Sequence, residues 1–453
     1  MLRVDEILKA TNGRLVCGRR DSLIRNFFID SRCPEPEAGF IALKGKNFDG
    51  HNFIAQVIKN GAVCVIADKP AGITLPRKLN YILVKDTQKA LADIARFKRE
   101  KYKIAVIAVT GSAGKTTVKD MLSWVLSEKF KLLSNEGTKN NHIGLPLTLL
   151  KLNQSHNMAV LELGSNHFGE IERLAEICRP DIGLITNVGP AHLEFFNNLE
   201  GVLKEKCALI KRLKSPAIAV LNADDELLKK KISAKSAKEA IFSFGIKNQA
   251  DFQASDFKAS ANKSSFLVNN KQKFKLKICG RHNIYNALAA ITIARIFGME
   301  YKDIIRRLSN FRPAQSRFNF IKLDKIKIID DTYNSNPLSL KHALETLSGL
   351  KTRGRKIFVM GDMLELGSYK EEFHSQAGIQ TAKICDAFIA VGELSKFAAK
   401  AALSCGFDTG NIFTCQSAKE AKEILFNKLL PDENDIVLVK GSRAMKMEEV
   451  FKK

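Results

Sequence analysis

The chain has 453 residues, 45% of them apolar and 26% charged, too long for one core at the usual ~100–200 residues per domain, so two or three domains are expected. No run of about 18 apolar residues appears, which argues against a membrane-spanning helix, and the opening MLRVDEILKA has the pattern of an amphipathic helix, not a signal peptide. The net charge of +24 is spread along helices and loops in runs such as LLKKKISAKSAKEA and NNKQKFKLK rather than clustered with aromatics, so it does not by itself point to nucleic acid.

Nine cysteines, none in a C-x-x-C pair, fit reduced thiols in a cytoplasmic protein and argue against a zinc site. In chain order, AGFIALKG and AVCVIAD read as strands and HNFIAQVIKNG as a helix closed by glycine. TQKALADIARFKREKY reads as a helix leading into a second unit, which places a boundary after residue 98. From 99 to 312 strands and helices alternate: NMAVLEL, GEIERLAEIC, DIGLITNV, EGVLKEKCALIKRL and PAIAVLNADD in turn. That rhythm implies a parallel sheet with crossover helices. Residues 246–277 read as hairpin material, and NIYNALAAITIARIFG as a helix. From 313 to 453 a third unit offers strands IKIIDDTY, KIFVMGD, AFIAVG and DIVLVKGS with helices such as SLKHALETLSGL between them. It looks Rossmann-like, but no G-x-G-x-x-G opens it and NAD is not indicated.

The strongest chemical signal is IAVIAVTGSAGKTTVKDML. An apolar strand stops at Thr110, a turn bracketed by Gly111 and Gly114 follows, then Lys115-Thr116-Thr117, and then a helix. Such a turn aims backbone N–H groups and a helix N-terminus at an anion. Ser112 and Thr117 belong to the same cradle, Lys115 adds a full charge, and the Thr116 hydroxyl suits Mg²⁺. The match to G-x-x-x-x-G-K-[ST] is partial, because Val109 stands at the first glycine position.

Other candidates sit at strand ends. Glu162 closes NMAVLEL beside the loop, where a carboxylate suits Mg²⁺ or is simply solvated. His192, past the next strand, could ligate a metal or be an exposed loop residue. Lys206 is an ordinary helix lysine by pattern, no better than Lys204. Asn283 and Asn286, three apart near a helix start, suit either a purine edge or N-capping. DDTYNSNP places Asp331, Asn334 and Asn336 at a strand end, where a ribose contact competes with a plain turn. Lys440, Ser442 and Arg443 fall in a loop after the last strand, suited to a carboxylate or phosphate or to a basic turn.

Taken together, these blocks resemble the Mur ligases over essentially the whole chain and in that family's order. The resemblance is carried by DSR (30–32), ALKGKNFDGHNF (42–53), TGSAGKTT (110–117), TKNNHIGLPLTLL (138–150), ELGSNHFGEI (162–171), NVGPAHLE (187–194), GRHNIYNALAA (280–290), DDTYNSNP (330–337), VMGDMLELG (359–367) and VKGSRAMKMEEV (439–450). It is closest to the members that join D-alanyl-D-alanine to UDP-N-acetylmuramoyl-tripeptide, and the D-N-P-R motif of the diaminopimelate-adding members is absent.

The resemblance implies three α/β domains: a small UDP-binding domain (1–98), a central P-loop parallel-sheet ATPase domain (99–312) and a C-terminal Rossmann-like domain (313–453). It implies ATP and Mg²⁺, with two metal ions, as cofactors. Lys115 and Thr116 would hold phosphates and metal, and Glu162 and His192 would be metal ligands. Lys206 matches the family lysine that is carbamylated by CO₂. Asn283 would contact adenine, and Arg317 and Asp331 the nucleotide from the C-terminal side. The family often has Pro-Gly ahead of that arginine, where RPAQSRF stands here. Ser31, Arg32, Asp49 and His51 would face the UDP-sugar, and Asn140 and Asn141 its peptide.

The implied reaction is ATP-driven amide formation through an acyl phosphate, in cytoplasmic peptidoglycan precursor synthesis. The implied protein is a monomer without nucleic-acid or membrane partners. Two alternatives stand beside it: a Mur-type ligase adding a single amino acid, and a P-loop switch that binds nucleic acid.

Overall fold

The structure is a computed structural model describing residues 1–45, 47–233, 239–260 and 263–452. Lys46, within the 42–53 block, residues 234–238 of the lysine-rich run, and 261–262 of the hairpin stretch lie outside the described residues. The architecture is mixed α/β with three main sheets of five, nine and six strands.

The N-terminal part opens differently from the single amphipathic helix read there. Leu2–Arg3 pairs antiparallel with Leu23–Ile24, and the helix runs Val4–Thr11. Val4, Ile7 and Leu8 form its buried stripe. The five-stranded sheet is parallel from Phe27–Phe28 through Gly39–Ile41 and Cys64–Ala67 to Asn80–Leu83, with Arg14–Cys17 added antiparallel at one edge. Helix Thr87–Glu100 is started by Asp86, whose side chain accepts the Lys89 N–H at 2.9 Å. Its Ile94 and Ala95 share one apolar cluster with Ile7 and Ile66 on one side and Val106, Leu145 and Leu161 on the other. The helix therefore packs against both units at once.

The nine-stranded sheet has Ala105–Thr110 third from one edge, flanked in parallel register by Ile182–Ile185 and Met158–Glu162. The chain leaves Thr110 toward one side of the sheet, reaching Leu132–Ser134 at the edge. It returns through Met158–Glu162, then crosses to Ile182–Ile185 on the other side. Such a reversal opens a crevice at the carboxyl ends of the strands, where Thr110 and Glu162 lie. The 246–277 stretch forms a meander, Phe252–Ser260, Lys263–Val268 and Gln272–Leu276, extending this sheet. Exposed Lys273 and Lys275 alternate with buried Phe274 and Leu276, so these lysines are the solvent face of a strand.

Helix Arg281–Ile296 lies beside helix Lys115–Leu126 on the same face of this sheet. Ile284, Leu288, Ile291 and Ile293 are all fully buried, each contributing roughly 1.5–3 kcal/mol. That packing holds the phosphate-loop helix along its side.

The C-terminal six-stranded sheet runs Asn319–Leu323, Ile326–Asp331, Ile436–Lys440, Lys356–Gly361, Ala387–Val391, Ile412–Cys415. All neighbours are parallel except the first pair. Lys440 is the last residue of its strand, paired in register with Asp331, and not part of the loop that follows as read from sequence. A strand ending on lysine is sustained here because the neighbouring strand ends on an acid.

Candidate functional site

Gly111 and Gly114 adopt φ of +145° and +81°. A Cβ on Gly111 would fall 2.0 Å from Thr186 Oγ1, and one on Gly114 2.6 Å from Asn286 Oδ1. The loop is braced by the segment after the neighbouring strand. Ala113 N–H donates to Asn187 Oδ1 (2.8 Å), Thr186 Oγ1 donates to Ala113 O (2.6 Å), and Ser112 Oγ donates to Gly189 O (2.9 Å). The sequence block NVGPAHLE drew attention to His192, but Thr186 and Asn187 are what hold the cradle's shape. Gly111→Ala is expected to cost about 1–3 kcal/mol of backbone strain at this position and to weaken ATP binding, as calorimetry and thermal melting would record.

Lys115 folds back to donate to Gly111 O at 2.8 Å, and burial lowers its pKa despite the pull of Glu162. Glu162 is 1% exposed and makes no ion pair among the described residues. Its oxygens accept from the Thr116 hydroxyl (2.7 Å) and the Asn140 amide (2.7 Å). A buried carboxylate held only by neutral donors is suited to a hard cation. Asn141 instead accepts the Ile143 and Gly144 N–H groups just ahead of and at the start of the helix Gly144–Leu149.

Lys206 is also 1% exposed. It donates to Ser165 Oγ at 2.7 Å and lies 5.6 Å from the Phe196 ring, with no ion pair among the described residues. Burial first, and the Lys115 charge second, lower its pKa to about 7. Lys204, equal to it by pattern, projects over the exposed Phe168 ring. The two are 200° apart around the helix, and only 206 falls in phase with buried Val202 and Leu209. That phase was the available signal in the sequence.

The C-terminal unit sits against this centre. Arg317 donates to Thr116 Oγ1 (2.9 Å) and lies 4.0 Å from the Tyr333 ring. Asn336 caps helix Pro337–Gly349 through Ser339 N–H (2.8 Å) and donates to Ser112 O (3.2 Å). Asp331 pairs with Lys440 at 2.6 Å and accepts the Phe318 N–H. Asn334 O accepts from Lys440, and its side chain accepts the Arg443 N–H.

Ser442 and Arg443 turn elsewhere. Ser442 Oγ accepts the Leu364 N–H at 2.9 Å, and Arg443 pairs with Glu448 at 2.9 Å.

Between the units is a cavity of about 670 Å³. Its walls include Ser112 to Thr117, Asn140, Asn141, Glu162, His192, Asn283, Arg317, Asp331, Asn334, Asn336 and Lys440. Asn283 and Asn286 are not N-caps. The cap of their helix is Gly280, and Asn283 donates to Cys279 O at 2.8 Å. His192 pairs through Nδ1 with Glu365.

Ser31, Arg32, Asp49 and His51 are not on the cavity wall. Arg32 pairs with Asp30, and His51 bridges Asp49 (2.6 Å) and Asp68 (3.0 Å).

Two further cavity residues carried no signal in the sequence. His282 of the central unit stacks on His342 of the C-terminal unit, centroids 5.5 Å apart and planes 7° from parallel. Burial lowers their pKa values to about 3 and about 4. Folded, both stay neutral where the unfolded chain takes up protons, so each costs stability as pH falls below about 6.5 toward 4. His342→Phe is therefore expected to flatten the loss of melting temperature between pH 6.5 and 4 relative to wild type.

The fold and the cavity are those of an ATP-using ligase built from α/β units around a phosphate loop. Family models for the Mur ligase catalytic domain, middle domain and glutamate ligase domain match residues 23–99, 109–294 and 316–443. The chain is 35% identical over 435 residues to the UDP-N-acetylmuramoyl-tripeptide–D-alanyl-D-alanine ligase of Bacillus subtilis, covering 95% of this chain and 93% of that one. It is 36% identical over 432 residues to the Escherichia coli enzyme of the same name, covering 93% and 92%. Among solved structures, MurF from Acinetobacter baumannii superimposes with a TM-score of 0.89 at 32% identity, over 99% of this chain and 97% of that one. MurF from Thermotoga maritima in complex with ADP gives 0.83 at 29% identity, over 94% and 96%. The chain belongs to the Mur ligase family.

Proposed function

We propose that this chain joins D-alanyl-D-alanine to the terminal carboxylate of UDP-N-acetylmuramoyl-tripeptide, with ATP cleaved to ADP and phosphate, in cytoplasmic peptidoglycan precursor synthesis. Residues 1–98 hold the UDP-sugar, 99–312 ATP, and 313–453 close over the nucleotide, in a chain that acts as a monomer. The reading is supported by one cavity lined by Lys115, Glu162 and His192, with Lys206 behind its wall and bonded to Ser165, which lines it. Near-full-length similarity to ligases of that name supports it.

The chemistry follows from charge. A carboxylate acylates poorly because oxide is a poor leaving group. Its oxygen attacks the γ-phosphorus of ATP, ADP departs, and an acyl phosphate forms. The amine of D-alanyl-D-alanine then attacks the acyl carbon, phosphate leaves, and an amide remains.

Two anions must meet in the first step. Lys115, the loop N–H groups and Arg317 offset their repulsion. Thr116, Glu162, His192 and the carbamate of Lys206 are the groups that would hold Mg²⁺. When bound, the metal supplies further charge neutralisation at the phosphates. Carbamylation suits a buried amine: the neutral nitrogen attacks CO₂, an N–C bond forms, a proton leaves to water, and a cation becomes an oxygen ligand. Asn283 serves adenine, and Asn140 and Asn141 the peptide. Ser31, Arg32, Asp49 and His51 serve the UDP-sugar. Asp331 and Lys440 hold the C-terminal side of the nucleotide, with Asn334, Asn336, Ser442 and Arg443 shaping the loops beside it.

The test is phosphate release with UDP-N-acetylmuramoyl-tripeptide, supplying in turn D-alanyl-D-alanine and single amino acids. Turnover with the dipeptide is expected. Turnover only with a single amino acid would reassign the chain within its family, and none with any amine would end the proposal.

A further inference from the structure

We propose that Glu365 is a positioning residue for His192, completing the centre only while the C-terminal unit is docked. This rests on the ligase reading and deepens it.

His192 precedes the short helix Leu193–Phe196 with φ of +55°, and lines the cavity. Its Nδ1 meets Glu365 Oε2 at 2.5 Å across 173 residues of sequence. A carboxylate at Nδ1 holds the proton there and leaves the Nε2 lone pair for a cation.

Glu365 itself is presented on a loop pinned to the C-terminal unit. His374 Nε2 accepts the Met363 N–H (3.0 Å), and Ser442 Oγ accepts the Leu364 N–H (2.9 Å). Glu365 has a left-handed φ of +62°, and Gly367, at +58°, is pressed close to the Glu194 backbone. The Glu365 carbonyl accepts the Glu194 N–H at 3.1 Å. Two bonds thus join the loop to the His192–Glu194 turn, one by backbone and one by side chain. The acid and the imidazole belong to different sheets, so undocking separates them and releases the ring. Ser442 acquires a role in this arrangement, because it anchors the loop that carries the acid.

The experiment compares wild type, Glu365→Ala and Glu365→Gln by Mn²⁺ titration with a non-hydrolysable ATP analogue, followed by electron paramagnetic resonance, and by steady-state turnover. Glu365→Ala is expected to weaken Mn²⁺ binding and lower kcat by about 10–100-fold, the usual effect of losing such a partner. KM for both peptide substrates stays unchanged, as does the melting temperature of this partly exposed position. Glu365→Gln keeps an acceptor for Nδ1–H and recovers most of both losses, which a merely structural role would not produce. Mn²⁺ binding by Glu365→Ala equal to wild type, or Glu365→Gln no better than Glu365→Ala, would overturn the proposal. Wild-type protein that binds Mn²⁺ but never turns over would count against the ligase reading alone, since the Mn²⁺ comparison still decides the role of Glu365.

Discussion

Lys206→Ala lowers turnover by about 10²–10³-fold, the scale seen when one preorganised group is removed from a charge-stabilising site. The protein stays folded. The wild-type amine is buried without an ion pair among the described residues, and a buried charge lacking a partner adds little to stability. Added formate or acetate is expected to restore part of the activity by supplying the oxygen ligand that the proposed Lys206 carbamate would provide. The same account makes wild-type activity depend on dissolved CO₂. With its pKa lowered to about 7 by burial and by Lys115, about half the amine is neutral and able to react at neutral pH. Stripping CO₂ from the buffer is therefore expected to slow wild type and leave Lys206→Ala unaffected. Full activity in the variant would reduce Lys206 to a packing residue.

Lys115→Ala loses about 10³–10⁵-fold in turnover, the range for removing a cation from a transferring phosphoryl group. In the structure this ammonium bonds to its own loop's Gly111 carbonyl and sits near Glu162 and Arg317. It is poised to exchange one carbonyl for phosphate oxygens. Arg317 does not substitute for it, because its guanidinium is held against Tyr333 and the Thr116 hydroxyl. ATP affinity falls with turnover in this variant, whereas Lys206→Ala keeps ATP affinity and loses chemistry. Stopped-flow nucleotide binding separates the two. Equal kcat in Lys115→Ala and wild type would remove the loop from the reaction.

Periodicity placed most strands and helices, because each had a period and a boundary that local chemistry enforces. The phosphate loop was legible for the same reason: glycine at 111 and 114 answers a steric demand visible in the spacing. Residues whose meaning depends on a partner distant in sequence were not. Lys206 is the exception, since the local helix phase that puts it in the core and Lys204 over Phe168 could have told the two apart. Lys440 looked like a loop lysine because its strand is sustained by Asp331, 109 residues away. Glu365 was quoted within VMGDMLELG without a role, since nothing local says that His192 waits across the interface. The stacked His282 and His342 come from two units and have no shared local pattern. In the opposite direction, Arg443 looked like an anion ligand and is engaged by Glu448.

In the proposed reaction the acceptor carboxylate takes the phosphoryl group from ATP before the amine arrives. Acceptor labelled with ¹⁸O in its terminal carboxylate, turned over with ATP and D-alanyl-D-alanine, tests that step directly by mass analysis of the released phosphate. The mechanism predicts one ¹⁸O atom in each phosphate formed during amide synthesis. Phosphate free of label, with amide still produced, would contradict it.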